Sequence, residues 1–162
     1  MVKVVTNTSP LIYLAKIDEL ELLSDIFDDV YVPMPVYKET QEKRESDDAI
    51  KIKNSEFLIR EPLKDDEKEL TDRISKEYGL GKGESSVIAL YKSRKLNYAL
   101  LANTEATHKA KNLGIRVMDP LDIGKIVYDS ASLKSYLLKL INFAGYTTQE
   151  IEEELEKLKH IL

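Results

Sequence analysis

Five short runs of β-branched and apolar residues, separated by longer stretches with helical periodicity, constrain the fold more than any other feature of this chain. They are "VKVVT" (2–6), "DVYVP" (29–33), "EFLIREP" (56–62), "YALLA" (98–102) and "IRVM" (115–118). The runs are too short for helices and rich in residues that suit a buried strand. Pro62 cannot donate to a ladder, which makes the third run an edge strand. Strands that alternate with helices argue for parallel pairing with helices on the sheet's faces. The expected fold class is therefore α/β, a three-layer α/β/α sandwich around a parallel sheet.

The intervening segments read as helices. Ser9 and Pro10 make a helix start, since Pro is tolerated in a first turn, and Leu11, Ile12, Leu14, Ala15 and Ile17 supply its apolar stripe. Asp18 is the expected cap of the next helix. A further helix is expected over 35–44, and "ESDDAIKIKNS" reads as a short polar helix or a surface excursion. Two helices follow, the first ended near Tyr78 by Gly79 as a left-handed terminator and the second running over 83–95. "TEATHKAKNLG" is a helix ended by Gly114. Beyond Pro120 the chain reads as helices over 121–128, 133–143 and 149–162. The last carries a capping box of Thr147 with Glu150 and an apolar stripe of Ile151, Leu155, Leu158 and Ile161. The expected organisation is one domain over 1–130, with a helical C-terminal extension over 131–162 packed on it.

Composition narrows the chemistry. At 43% hydrophobic and 33% charged, the 162 residues can build a core under a solvated surface. No apolar run approaches the roughly 20 residues of a membrane span, and "MVKVVTN" lacks the zones of a secretory leader. A cytoplasmic protein without a membrane partner is expected. Cysteine is absent and only His108 and His160 are present, which removes thiolate metal sites, cysteine nucleophiles and nearly all material for zinc or Ser-His-Asp chemistry. The net charge of −5 argues against a generally basic DNA binder and requires any phosphate contacts to come from locally concentrated Lys and Arg. Lys82, Lys109 and Lys111 are candidates, although isolated lysines are ordinarily surface charge. "GLGKGESS" lacks the spacing of a phosphate-binding loop and follows a helix rather than a strand.

Right-handed crossovers bring the carboxyl ends of parallel strands to one rim. Asn7, Asn103 and Asp119 follow strands there, and Glu39 and Glu84 lie early on helices that can approach the same place. Each has an ordinary reading when taken alone. Asn7 is well placed to cap a helix, and Glu39 and Glu84 resemble solvated helix residues.

Taken in order, "VVTNTSPLIYLAKI", "VPMPVYKET", "GKGESSVIAL" and "ALLANTEATHKAKNLGIRV" resemble the motifs of the PIN-domain family, closest to its small, VapC-like prokaryotic and archaeal branch. The resemblance implies a nuclease that uses Mg2+ or Mn2+, cleaves RNA phosphodiesters by metal-activated water and belongs to a toxin–antitoxin type. Its catalytic positions fall on Asn7, Glu39, Glu84 and Asn103, with Thr8 and Ser9 in support. Two of the four are carboxylates and two are amides. Hard divalent ions favour oxygen ligands, and an amide carbonyl supplies one without the charge. Metal is expected on Asn7, Glu39 and Glu84, with Asp119, ahead of Glu105, replacing the missing acid. The implied partners are single-stranded or structured RNA, an antitoxin protein and a second copy in a homodimer. The alternative is a catalytically eroded domain that binds RNA or protein without cleavage.

Overall fold

Val4 and Val5, both completely buried, occupy the middle of the central strand β1 (Lys3–Thr6). The computed structural model describes residues 1–160. On one side β1 pairs with β2 (Asp29–Pro33), and β2 pairs with the edge strand β3 (Leu58–Glu61). On the other side it pairs with β4 (Tyr98–Leu100), which pairs with the two-residue β5 (Val117–Met118). Every pairing is parallel and the order is β3-β2-β1-β4-β5. The chain therefore winds outward from β1 in one direction, returns, and winds outward in the other. Such a reversal leaves a crevice at the carboxyl ends of the two strands where it occurs. Here those strands are β1 and β4, and the Asn7 N–H closes the crevice floor by donating to the Leu100 carbonyl at 3.0 Å.

Helices fill both faces, as right-handed crossovers require. β1 leads into α1 (Thr8–Lys16) and α2 (Leu22–Ile26), and β2 into α3 (Met34–Thr40) and α4 (Asp47–Asn54). α1 packs on α3 and α4. β3 leads into α5 (Asp65–Tyr78) and α6 (Lys82–Ser93), which pack along one another, and α6 lies against β1, β2 and β4. α7 (Thr104–Asn112) joins β4 to β5. The segment left open between helix and excursion is helical because Ser46 accepts from the Ala49 N–H, a cap that starts α4.

Asp18 does not cap α2. It sits in the left-handed region at φ 56° and its carboxylate meets Lys51 at 2.6 Å, while α2 begins only after Glu21. The helix expected over 35–44 stops at Thr40, whose hydroxyl turns back to the Tyr37 carbonyl. α6 is anchored at its far end by Glu67, which is 2% exposed. Burial alone would raise the Glu67 pKa, but the Arg94 guanidinium, the Ser93 hydroxyl and the Lys64 N–H hold it at about 2.

The chain continues through α8 (Pro120–Val127), α9 (Ser130–Asn142) and α10 (Gln149–Leu158). The cap of α10 is Thr148, which accepts from Ile151 N–H, and not Thr147 one residue earlier. The far end of the helix expected over 149–162, including Ile161 in its stripe, lies outside the described residues. Tyr146 stacks on Tyr13 of α1, and Lys139 and Tyr128 both reach Glu19. Among the described residues no helix is long and apolar enough to cross a membrane.

α9 packs against α8 at Gly124. A Cβ there would lie 2.5 Å from the ring of Tyr136, a completely buried side chain whose hydroxyl donates to the Pro120 carbonyl at 2.7 Å. Gly124→Ala gains about 1 kcal/mol of helix propensity. Overpacking against an immobile ring costs about 1–3 kcal/mol. The expected net result is a less stable protein, read as a lower denaturant midpoint with an unchanged m-value.

Candidate functional site

The crevice at β1 and β4 opens into a cleft of about 240 Å3 lined by Asn7, Thr8 and Ser9, by Glu39, by Gly81, Gly83 and Glu84, and by Asn103. Two strand-to-helix connections, the end of α3 and the start of α6 thus bring the four motif positions to one place. Asn7 is the residue after β1, Glu39 lies in the last turn of α3, Glu84 in the first turn of α6, and Asn103 precedes α7.

The two amides differ in what their side chains do. Asn103 is exposed, and its Oδ1 accepts from the Ala106 N–H at 3.0 Å as the cap of α7. Asn7 holds the corresponding place before α1, with extended backbone, yet makes no capping hydrogen bond. It is 6% exposed and borders the cleft. The ordinary capping explanation therefore holds for Asn103 and fails for Asn7.

The carboxylates are placed by short-range contacts. The Thr8 hydroxyl donates to Glu39 Oε2 at 2.8 Å, which ties the start of α1 to α3. Gly83 faces the other oxygen: a Cβ on it would stand 2.5 Å from Glu39 Oε1. Only a residue without a side chain lets α6 come this near to Glu39. Glu84 is half-buried, and burial raises its pKa above the ordinary value. The charges of Glu39 and Glu105 push it further in the same direction, while the Gly81 N–H and Lys109 oppose them. The charge of Glu39 thus bears on Glu84 across the cleft.

The residues expected to supply a third acid lie elsewhere or are engaged. Asp119 is not in this cleft. It forms a reciprocal capping box with Asp122 at the start of α8 (2.9 and 3.0 Å) and borders a separate cleft between α7, α8 and α10. Burial, with the nearby Asp122, pushes its pKa up to about 6. The displacement follows from strand order: β5 lies two strands from β1, about 10 Å along the rim. Glu105 is exposed and paired with Lys109 at 2.8 Å, which lowers its pKa. Lys109 also donates to the Tyr78 carbonyl at the end of α5. His108 is exposed and reaches only Asn112.

Among the described residues, no three His, Cys, Asp or Glu side chains gather as a metal-binding group. The cleft offers instead two carboxylates and an uncapped amide, with hydroxyls beside them, all oxygen donors of the kind a hard cation takes. A cation between Glu39 and Glu84 would offset the burial and the repulsion that together raise Glu84. On that ground the residues present fit a divalent ion. Gly81 and Gly83 were legible in the sequence only as a turn, and the service of Gly83 to Glu39 depends on a contact between distant segments.

A family model described as a PIN domain matches residues 3–124, a stretch that includes all five strands and every residue lining the cleft. No curated protein and no solved structure matches the chain. PIN domains are nuclease-type domains that generally use divalent metal ions. The chain belongs to the PIN-domain family.

Proposed function

We propose that this protein is a divalent-metal-dependent endoribonuclease of the small, toxin-like type, working in the cytoplasm with Mg2+ or Mn2+. The observation that carries the proposal is the convergence of Glu39, Glu84 and an uncapped Asn7 on one cleft, with Glu84 perturbed by the charge of Glu39. When bound, a hard divalent ion supplies positive charge against a phosphodiester and acidifies a water molecule. Glu39 and Glu84 would hold it through carboxylate oxygens and Asn7 through its amide oxygen. Thr8 fixes the direction of Glu39 by donating to it. Ser9 borders the same space as a hydroxyl for water or phosphate. An antitoxin partner and a homodimer belong to the toxin-like part of this proposal.

A second reading is favoured by Asn103. Its oxygen is engaged by α7, so the cleft carries two negative charges where four carboxylate positions are implied. An eroded domain would bind RNA or a protein without cutting. The two readings separate in one experiment. The nuclease cleaves single-stranded RNA in the presence of manganese, and Glu39→Ala abolishes both cleavage and manganese binding by calorimetry. Cleavage that survives Glu39→Ala overturns the assignment. An inactive wild type that gains manganese-dependent cleavage from Asn7→Asp with Asn103→Asp establishes erosion.

The pH dependence follows from the direction of the Glu84 shift. A carboxylate must be ionised to hold a cation, and a group with a raised pKa keeps its proton to higher pH. Manganese affinity should therefore continue to rise with pH above the range in which ordinary carboxylates titrate. A fluorescence or calorimetric titration through and above that range reads it.

Gly83→Ala tests the packing of the cleft itself. The added methyl meets the end of a flexible side chain, so stability should change by less than about 1 kcal/mol. Glu39 must move, and displacing the support of a ligand typically costs about 10–100-fold in metal affinity. Manganese affinity should fall by that range while the thermal midpoint stays close to wild type.

A further inference from the structure

A larger groove of about 530 Å3 adjoins the cleft, and Glu39 borders both. Its apolar lining comes from Pro35 in the first turn of α3 and from Pro62 and Leu63 between β3 and α5. Lys38, Lys68 and Lys82 reach it from three different helices, α3, α5 and α6. All three are exposed, and none takes part in an ion pair among the described residues. Lys109, by contrast, is held by Glu105 and the Tyr78 carbonyl. In a chain of net charge −5, three unpaired cations on one groove form a local reversal of sign. Asp72 is the other acid on the groove besides Glu39.

We propose that this groove seats an unpaired nucleotide of a single-stranded polynucleotide beside the bond held in the cleft. The backbone phosphates lie against Lys38, Lys68 and Lys82, and a base lies against the proline and leucine surface. The proposal rests on the nuclease reading of the cleft. The volume falls within the roughly 300–1,000 Å3 of sites that enclose one small organic unit, which suits a single nucleotide and not a duplex. A positive channel with an apolar face for bases is the general solution for single strands. Without base-edge hydrogen bonding at Pro35, Pro62 and Leu63, sequence preference at this position is weak.

Fluorescence anisotropy with the full chain in EDTA tests the groove separately from cleavage. The probe is a labelled oligouridylate of about 12 nucleotides, with oligothymidylate of equal length as a second arm. Replacing all three lysines (Lys38→Glu, Lys68→Glu, Lys82→Glu) should weaken binding at least tenfold and reduce the salt slope by about 2, at about 0.7 per phosphate contact. The same charge change at exposed lysines outside the groove (Lys16→Glu, Lys53→Glu, Lys95→Glu) should weaken it far less. The single variant Lys68→Ala should show a partial loss with an unchanged circular dichroism spectrum. Tighter binding of the uridylate assigns the groove to RNA, and equal binding assigns it to single strands of either sugar. Equal weakening by the two triple variants overturns the proposal, as does polyglutamate competing as well as the oligonucleotide. A protein that binds through these lysines yet never cleaves refutes the nuclease reading while leaving the groove assignment standing.

Discussion

The last rung between β1 and β4, where the Asn7 N–H donates to the Leu100 carbonyl, fixes what the rest of the molecule can do. It holds together the two strands at which the winding direction reverses, and so sets where the chain leaves the sheet on either side of the crevice. Asn7 emerges from one strand and Asn103 follows the other. α3 and α6 then bring carboxylates to the same opening from above, the second kept in place by the buried Glu67–Arg94 pair at the opposite end of α6. Side chains mounted this way inherit the rigidity of the sheet.

Electrostatically the molecule is arranged in two zones that share a border at Glu39. On one side negative charge is concentrated against burial, which raises Glu84. On the other side three lysines face solvent without acidic partners among the described residues. A polyanion on such a surface would be attracted by one zone and repelled by the other unless a cation lay between the carboxylates.

Strand positions were legible because β-branched runs have few alternatives, and the strand ends gave Asn7 and Asn103 their places on the rim. Glu39 and Glu84 were legible only through motif order, since a glutamate on a helix is ordinarily solvated; Glu39, expected early on its helix, stands in the last turn of α3. What failed did so for geometric reasons. Asp119 does follow a strand, but a two-residue edge strand displaced from the crevice turns it into a helix cap. Asp18 looked like a cap because Asp favours that role, whereas Lys51 from α4 drew it into an ion pair. Thr147 and Thr148 are equivalent in composition, and only the backbone geometry decides between them. Gly83 carried no signal, because its meaning lies in the approach of Glu39 from another helix. The groove lysines were equally silent: their shared location comes from three helices that only the tertiary fold assembles.

The stacking of Tyr146 on Tyr13, the hold of Lys139 and Tyr128 on Glu19, and the insertion of Tyr136 beside Gly124 bind the C-terminal helices to α1 and α8. α1 is also the helix whose first residues, Thr8 and Ser9, border the cleft. The family match ends at residue 124, short of all three tyrosines that make these contacts from the C-terminal side. A protein trimmed to that boundary would retain every motif and lose the buttress behind them. Contacts from beyond the family match thus reach back to the helix that carries part of the cleft.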